Sequence, residues 1–280
     1  MSAVLPVVPS AGARDIEFSS SDFERVRSMI HAKAGIDLNP GKQNMVYSRL
    51  SRRLRERGYT EFRTYLDSLN AASEAEWQEF INCLTTNLTS FYREAHHFPL
   101  LADFLRTRRG APTRIWCSAA STGEEPYTIA MTVADTLGGK GGVTIDASDI
   151  DTNVLETAAT GAYAAETVAN LDAPRLQRYF LKGAGSNLGR VRVKPELRAM
   201  INFRCFNLLA SQWRMEPYDV IFCRNVMIYF DRPTQRRILE RMHACMKPGG
   251  LLFVGHSENF TEHKDLFTLT GKTLYHRVGA

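Results

Sequence analysis

At 280 residues the chain can build one large core or two modest ones, and its 44% hydrophobic and 23% charged residues are ordinary for a soluble globular protein. No apolar run approaches the roughly 20 residues that span a bilayer, and the N-terminus lacks a basic segment while holding Pro6 and Pro9, so neither membrane insertion nor a signal peptide is expected. The formal charge of +5 would suit a nucleic-acid binder, but seven basic and two acidic residues between Lys42 and Arg63 account for an excess as large as the whole chain's, which points to one acidic partner surface.

Residues 1–17 read as a loose tail. Ser20, Ser21 and Asp22 offer caps before Phe23, Val26, Met29 and Ile30, a helical apolar spacing that Gly35 closes. A second helix runs from Gln43 to Arg57 on Val46, Leu50 and Leu54, with Gly58 after it. Thr60 is the expected cap of a third, carrying Phe62, Tyr65, Leu66 and Leu69. A fourth, Glu74 to Leu84, places Trp77, Phe80, Ile81 and Leu84 on one side. Residues 18–86 are therefore expected to form a small all-α domain.

From Arg93 the pattern changes. A helix from Ala95 to Arg108 precedes a strand at 114–118, a tight turn and a helix beginning near Pro126. Strands follow at 143–147, 201–206 and 218–223, then a helix from Pro233 to Met246 that Lys247-Pro248-Gly249-Gly250 should stop before a strand at 251–254. Phe267 to Leu269 and Thr273 to Arg277 look like a closing antiparallel pair. Alternating strands and helices predict a doubly wound α/β domain with a parallel sheet over 95–280. Within it, 178–203 alternates polar with apolar and holds Gly183, Gly185 and Gly189, which reads as an inserted antiparallel hairpin.

The turn Ser118 to Glu125 lies between an apolar strand and a helix, where nucleotide-like ligands are cradled. It has a single glycine, Gly123, so a pyrophosphate is poorly served. Asp149, about 25 positions after the turn, is placed at a strand tip to accept hydrogen bonds from ribose hydroxyls. Five cysteines, Cys83, Cys117, Cys205, Cys223 and Cys245, form no C-x-x-C pair, and their odd number favours reduced thiols in a cytoplasmic protein. His96 and His97 are consecutive, so on a helix they would diverge by about 100°, and no metal site is expected. On the second helix Arg49 and Arg53 fall within about 40° of Lys42, with Arg52 on the flank, making a basic stripe.

Five runs together carry a resemblance: Asn87-Leu88-Thr89-Ser90-Phe91-Tyr92-Arg93, Ser118 to Tyr127, Ser148-Asp149-Ile150-Asp151, Asn207-Leu208-Leu209, and Cys223-Arg224-Asn225-Val226-Met227-Ile228-Tyr229-Phe230. In order and content they resemble the CheR family, S-adenosylmethionine-dependent methyltransferases that esterify glutamates on bacterial chemoreceptors, and the likeness runs from about Phe18 to about Tyr275. It implies a Rossmann-like methyltransferase domain, with residues 87–94 as a linker that contributes to the cofactor site. It places Asn87, Thr89 and Arg93 beside the methionine portion and Asp149 at the ribose. Asn207, Leu208, Arg224 and Asn225 fall around the adenosine and the pocket floor. Glu124 and Glu125 both remain candidates for the ammonium, Glu125 preferred. Arg93 and Tyr229 are expected to orient the substrate carboxylate. The stripe of Arg49, Arg52 and Arg53 would dock the acidic receptor helix. Gly183, Gly185, Gly189, Arg190 and Arg192 would tether a peptide from the receptor's C-terminus. S-adenosylhomocysteine would be the second product, and a monomer without nucleic acid is expected. Two rivals stand beside this reading. A nucleic-acid methyltransferase would explain the charge, but amino methylation of bases usually carries a [DNS]-P-P-[YFW] motif where this chain has Arg224-Asn225-Val226-Met227. A non-catalytic S-adenosylmethionine-binding adaptor would share the fold.

Overall fold

In the computed structural model, residues 16–139 and 141–279 are described. The tail expected over 1–17 falls outside them as far as residue 15, but Ile16 is buried in the helical core and Phe18 packs 4.4 Å from the Phe62 ring, so order begins earlier than composition suggested. Helix α1 (Ser20–Ala34) starts at a capping box, in which the Ser19 hydroxyl accepts from Asp22 N at 3.1 Å and Asp22 accepts from Ser19 N at 3.0 Å. It ends on Gly35 at φ 70°. Helices α2 (Gln43–Glu56), α3 (Phe62–Ser68) and α4 (Glu74–Leu84) follow. Thr60 is not the cap of α3; Glu61 holds that position without a side-chain bond. Val26, Ile30, Val46, Leu50, Leu54, Leu66 and Phe80 are fully enclosed and form the core of this domain.

Two of the three arginines of the expected docking stripe are used inside the domain. Arg53 donates through Nε and Nη2 to the Glu76 carboxylate at 3.2 and 2.6 Å, and the Tyr65 hydroxyl donates to the same group at 3.2 Å. Arg49 donates to the carbonyl oxygens of Cys83, in the last turn of α4, and Thr85, just after it. Both side chains therefore fasten α2 to α4. Arg52 alone of the three stands in solvent, 84% exposed, with an i,i+4 pair to Glu56 at 2.9 Å.

The second domain opens with α5 (His97–Thr107), then β1 (Thr113–Cys117), α6 (Glu124–Leu137), β2 (Val143–Asp149) and α7 (Thr152–Thr160). A small sheet comes next, made of β3 (Ala162–Ala164), β4 (Phe180–Lys182) and β5 (Arg190–Val193), with α8 (Ala173–Tyr179) and α9 (Pro195–Arg198) around it. The chain returns through β6 (Ile201–Cys205), β7 (Tyr218–Cys223), α10 (Arg232–Ala244), β8 (Met246–Val254), β9 (Phe267–Gly271) and β10 (Leu274–Arg277). The main sheet runs β6-β2-β1-β7-β8-β10-β9, parallel from β6 to β8 and closed by antiparallel β10 and β9. Successive residues feed opposite apolar layers: Ile115, Ile145, Val220 and Phe222 on one face, Trp116, Ile221, Cys223 and Leu252 on the other.

Two expectations on local structure are corrected. Lys247 to Gly250 does not separate helix from strand; it lies inside β8, as a bulge between the Tyr218↔Met246 and Val220↔Leu251 pairs, with Gly249 at φ 72°. The insertion is not a hairpin over 178–203. It is a three-stranded sheet of order β3-β5-β4 that begins at Ala162, while Ile201 to Phe203 belong to the main sheet and Arg178 to α8. Strand β3 is only three residues long, too short to read as a strand by alternation.

Candidate active site

The chain runs from β1 outward to β2 and β6, then crosses to β7 on the other side of β1. Carboxyl ends of strands at such a reversal leave a crevice, and here it is lined by Ser118, Ala119 and Ser121 after β1, Asp149 and Ile150 at the tip of β2, Phe206 to Leu208 after β6, and Arg224 and Asn225 after β7. The strand order lays out the chemistry. Apolar Ile150, Phe206 and Leu208 gather at the β6–β2 end, the Asp149 carboxylate follows, and charged Glu125 and Arg224 lie at β1 and β7.

The helical domain closes the crevice. Asn207 donates to the Lys33 carbonyl at 2.8 Å, Asp37 N donates to the Tyr229 carbonyl at 2.8 Å, and His31 meets Asp231 at 3.0 Å. On the opposite flank Gln78 donates to the Ile150 carbonyl at 2.7 Å and Asn82 to Thr152 at 2.9 Å. Ala34, Ile36 and residues 85–89 therefore belong to the pocket wall. Asn87 sits there with its amide donating to Asp151 at 2.7 Å, and Thr89 lines the same wall. Arg93 holds the linker by donating to the Leu88 carbonyl at 2.6 Å, and Tyr229 lines the far side.

The two glutamates face different ways. Glu125 lines the pocket, whereas Glu124 turns back on Thr122 at 2.6 Å and lies outside the lining. Glu125 receives Arg224 at 2.5 Å, and Arg224 also donates to the Arg93 carbonyl at 2.5 Å and stands 3.4 Å from Glu94. Arg224 is thus a buried counter-ion, not a surface cation. Asp149 accepts from Ser121 N at 2.8 Å and from Asp151 N at 3.0 Å. Burial pushes its carboxyl above the ordinary range, although those amides oppose the shift. Gly123 serves close packing: its φ is 100°, and a Cβ there would come 2.8 Å from the Tyr163 hydroxyl and from Ala158.

Sequence reasoning missed Ile150 and Phe206 of the pocket lining and three residues that support it. Glu94, at φ 53°, accepts from His256 Nδ1 at 3.0 Å and from Asn225 Nδ2 at 3.3 Å. Burial alone would raise its carboxyl, but the His256 bond and the Arg224 guanidinium hold it down at about 2. Glu258 and Gly255 belong to the same cluster. None of these three is flagged by spacing, because each acts on a segment 30 or more residues away. His96 and His97 also depart from expectation. Residues 91–96 are turns, not helix, and the two rings lie 4.2 Å apart, so divergence along a helix does not apply to them. With Glu94 they bring three potential ligand atoms within 4.8 Å. The Arg224 cation beside Glu94 opposes a metal ion at that spot.

Fold and pocket together define a two-domain protein of the class that binds a nucleoside-bearing ligand at the reversal of a parallel sheet. Residues 87–276 match the model of the CheR methyltransferase SAM-binding domain, and residues 21–85 that of the CheR methyltransferase all-alpha domain. The chain belongs to the CheR methyltransferase family. It is 54% identical to the chemotaxis protein methyltransferase of Escherichia coli K12 over 93% of this chain and 92% of that one. It is 53% identical to the Klebsiella aerogenes protein of the same name, over 94% and 91%, and 49% identical to chemotaxis protein methyltransferase 2 of Pseudomonas aeruginosa, over 95% and 96%. Among the described residues no helix is long and apolar enough to cross a membrane.

Proposed function

We infer that this protein transfers the methyl group of S-adenosylmethionine to glutamate carboxylates on chemoreceptor helices, giving glutamyl methyl esters and S-adenosylhomocysteine. The observation that carries the reading is the placement of Glu125, Asp149 and Arg93 on one crevice between an apolar end and Tyr229. An ammonium suits Glu125, ribose hydroxyls suit Asp149, a carboxylate suits Arg93, and adenine fits among Ile150, Phe206 and Leu208. No phosphate cradle is needed, which agrees with a β1 turn holding one glycine.

Bound S-adenosylmethionine supplies an activated methyl, and its carbon–sulfur electron pair returns to sulfur as the carboxylate oxygen bonds to carbon. A glutamate with a pKa of about 4.3 is already ionised at neutral pH, so no general base is required. The chain's part is to hold oxygen, carbon and sulfur in line and to exclude water, which the covering helical domain does. Arg93 and the Tyr229 hydroxyl orient the carboxylate. Arg93 already holds the Leu88 carbonyl, so it meets the nucleophile from one side and leaves the attacking oxygen unclamped. Tritiated methyl should pass to receptor-containing membranes as a base-labile product, and Tyr229→Phe should lower kcat about tenfold with cofactor affinity nearly unchanged. Unaltered kcat would remove Tyr229 from the chemistry, and label in nucleic acid would favour the rival enzyme.

The small sheet supports a second contact with the receptor. Its middle strand β5 turns Arg190 and Arg192 to one exposed face, and β4 borders it as an edge carrying Leu181, 48% exposed. An extended receptor C-terminal peptide with an acidic residue adds to such an edge as a strand, and the tether raises the local enzyme concentration. Gly185 and Gly189, at φ 59° and 80°, turn the loop between β4 and β5, while a Cβ on Gly183 would strike the Asn187 carbonyl. Arg190→Glu should weaken peptide binding at least about fivefold in a titration. Equal binding by the variant, or none by the wild type, removes the tether. The protein acts as a monomer in the cytoplasm in this reading.

A further inference from the structure

The loop after β7 is built around a carboxylate from elsewhere in the chain. Glu258, 5% exposed, accepts four backbone N–H groups: Val226 at 2.9 Å and Met227 at 2.8 Å on Oε1, Asn225 at 2.9 Å and Gly255 at 2.6 Å on Oε2. Among the described residues no lysine, arginine or histidine pairs with it. Three consecutive amides converge because Asn225 is left-handed, at φ 58°, and Val226 is not, at φ −122°. That alternation makes a concave nest of N–H groups that takes an anion. Here the anion is the chain's own.

The nest has a consequence for the pocket. Asn225 lines it, and its left-handed backbone, at φ 58°, sets the direction its side chain leaves the chain. A second carboxylate, Glu94, accepts one N–H of Asn225 Nδ2 at 3.3 Å, which leaves the amide oxygen and the other N–H as the groups Asn225 can offer a ligand. Gly255 completes the frame, since a Cβ there would lie 2.3 Å from Nδ2. Asparagine tolerates the left-handed region, but nothing local forces it to stay there.

We propose that Glu258 is a positioning residue for methyl transfer: its carboxylate, seated in the 225–227 nest, fixes Asn225 in the left-handed conformation and so sets the side-chain amide that lines the cofactor pocket. The inference rests on the methyltransferase reading above. Glu258→Gln keeps the shape but turns an NH₂ group against two of the four amides, so the nest loses half its acceptors.

A double-mutant cycle separates positioning from mere support. Asn225→Gly keeps the left-handed backbone and deletes the side chain. Glu258→Gln is expected to lower kcat/KM for S-adenosylmethionine about 30-fold in the wild-type background and less than about threefold in Asn225→Gly, because the group it positions is already absent. Equal losses in both backgrounds would show a support role only and overturn the proposal, as would wild-type kcat/KM in Glu258→Gln. Should the Gln variant not fold, Glu258→Asp, which keeps the charge one methylene short, is run through the same cycle with the same two criteria. A wild-type protein that transfers no methyl at all would instead strike the underlying reading.

Discussion

Arg224→Met is expected to remove cofactor binding and to lower stability by roughly 3–5 kcal/mol, the range for breaking a buried ion pair by deleting one partner. The Arg224 side chain is 1% exposed, and its guanidinium is shared between Glu125 at 2.5 Å, Glu94 at 3.4 Å and the Arg93 carbonyl at 2.5 Å. Methionine fills the volume but takes from Glu94 and Glu125 the cation they share. Arg224→Lys should rescue little, because one ammonium cannot span acceptors on separate segments. The defect should also be acid-sensitive in a defined direction. Glu94, held at about 2 in the folded protein, contributes stability that is present above its ordinary carboxylate pKa and lost as pH falls toward 2. Without Arg224 its folded pKa rises, so the acid unfolding midpoint should move to higher pH. Urea unfolding across pH and calorimetry with S-adenosylhomocysteine check both statements. A lysine variant with wild-type affinity would show that Arg224 acts as a simple charge.

Part of the pocket lining was legible. Asp149 was readable from its place at a strand tip, whereas Asn207, Leu208, Arg224 and Asn225 came from the family resemblance; all five line the crevice because the strand order brings the ends of β2, β6 and β7 together. The choice of Glu125 over Glu124 was not legible, since both open α6 and spacing cannot say which faces inward. The supports of the site were hidden for a different reason. Glu94 sits in a run of turns that periodicity does not describe, with Tyr92 and Glu94 both at positive φ. Glu258 follows a strand in a segment with no motif of its own, and its four partners are amides, which carry no signature in a sequence. The small sheet was seen only in its two later strands, because Ala162 to Ala164 contributes three residues and pairs across 26 or more positions to β5.

The basic helix has a structural role that a charge pattern does not reveal, and Arg53→Glu is the test. Helical projection places Arg49, Arg52 and Arg53 near one another, but it does not see α4. The Arg53 side chain is 15% exposed, bidentate on a Glu76 carboxylate that is 10% exposed and that also receives Tyr65 and Arg57. Reversing its charge would put two carboxylates against each other in a half-enclosed seam between α2 and α4. A loss of about 3–5 kcal/mol is expected, read as a lower urea midpoint and a loosened helical domain. Because α4 also holds Ile150 and Thr152 beside the cofactor crevice, cofactor affinity should fall with it. Arg52→Glu is the contrasting change. Its exposed pair with Glu56 is worth at most about 0.5 kcal/mol, so stability should stay within that margin. If α2 meets an acidic receptor helix, Arg52→Glu raises KM for receptor and flattens its salt dependence while leaving cofactor affinity alone. An Arg53→Glu protein with the wild-type urea midpoint and only a higher receptor KM would return that residue to the docking face and strip the Glu76 pair of its structural role.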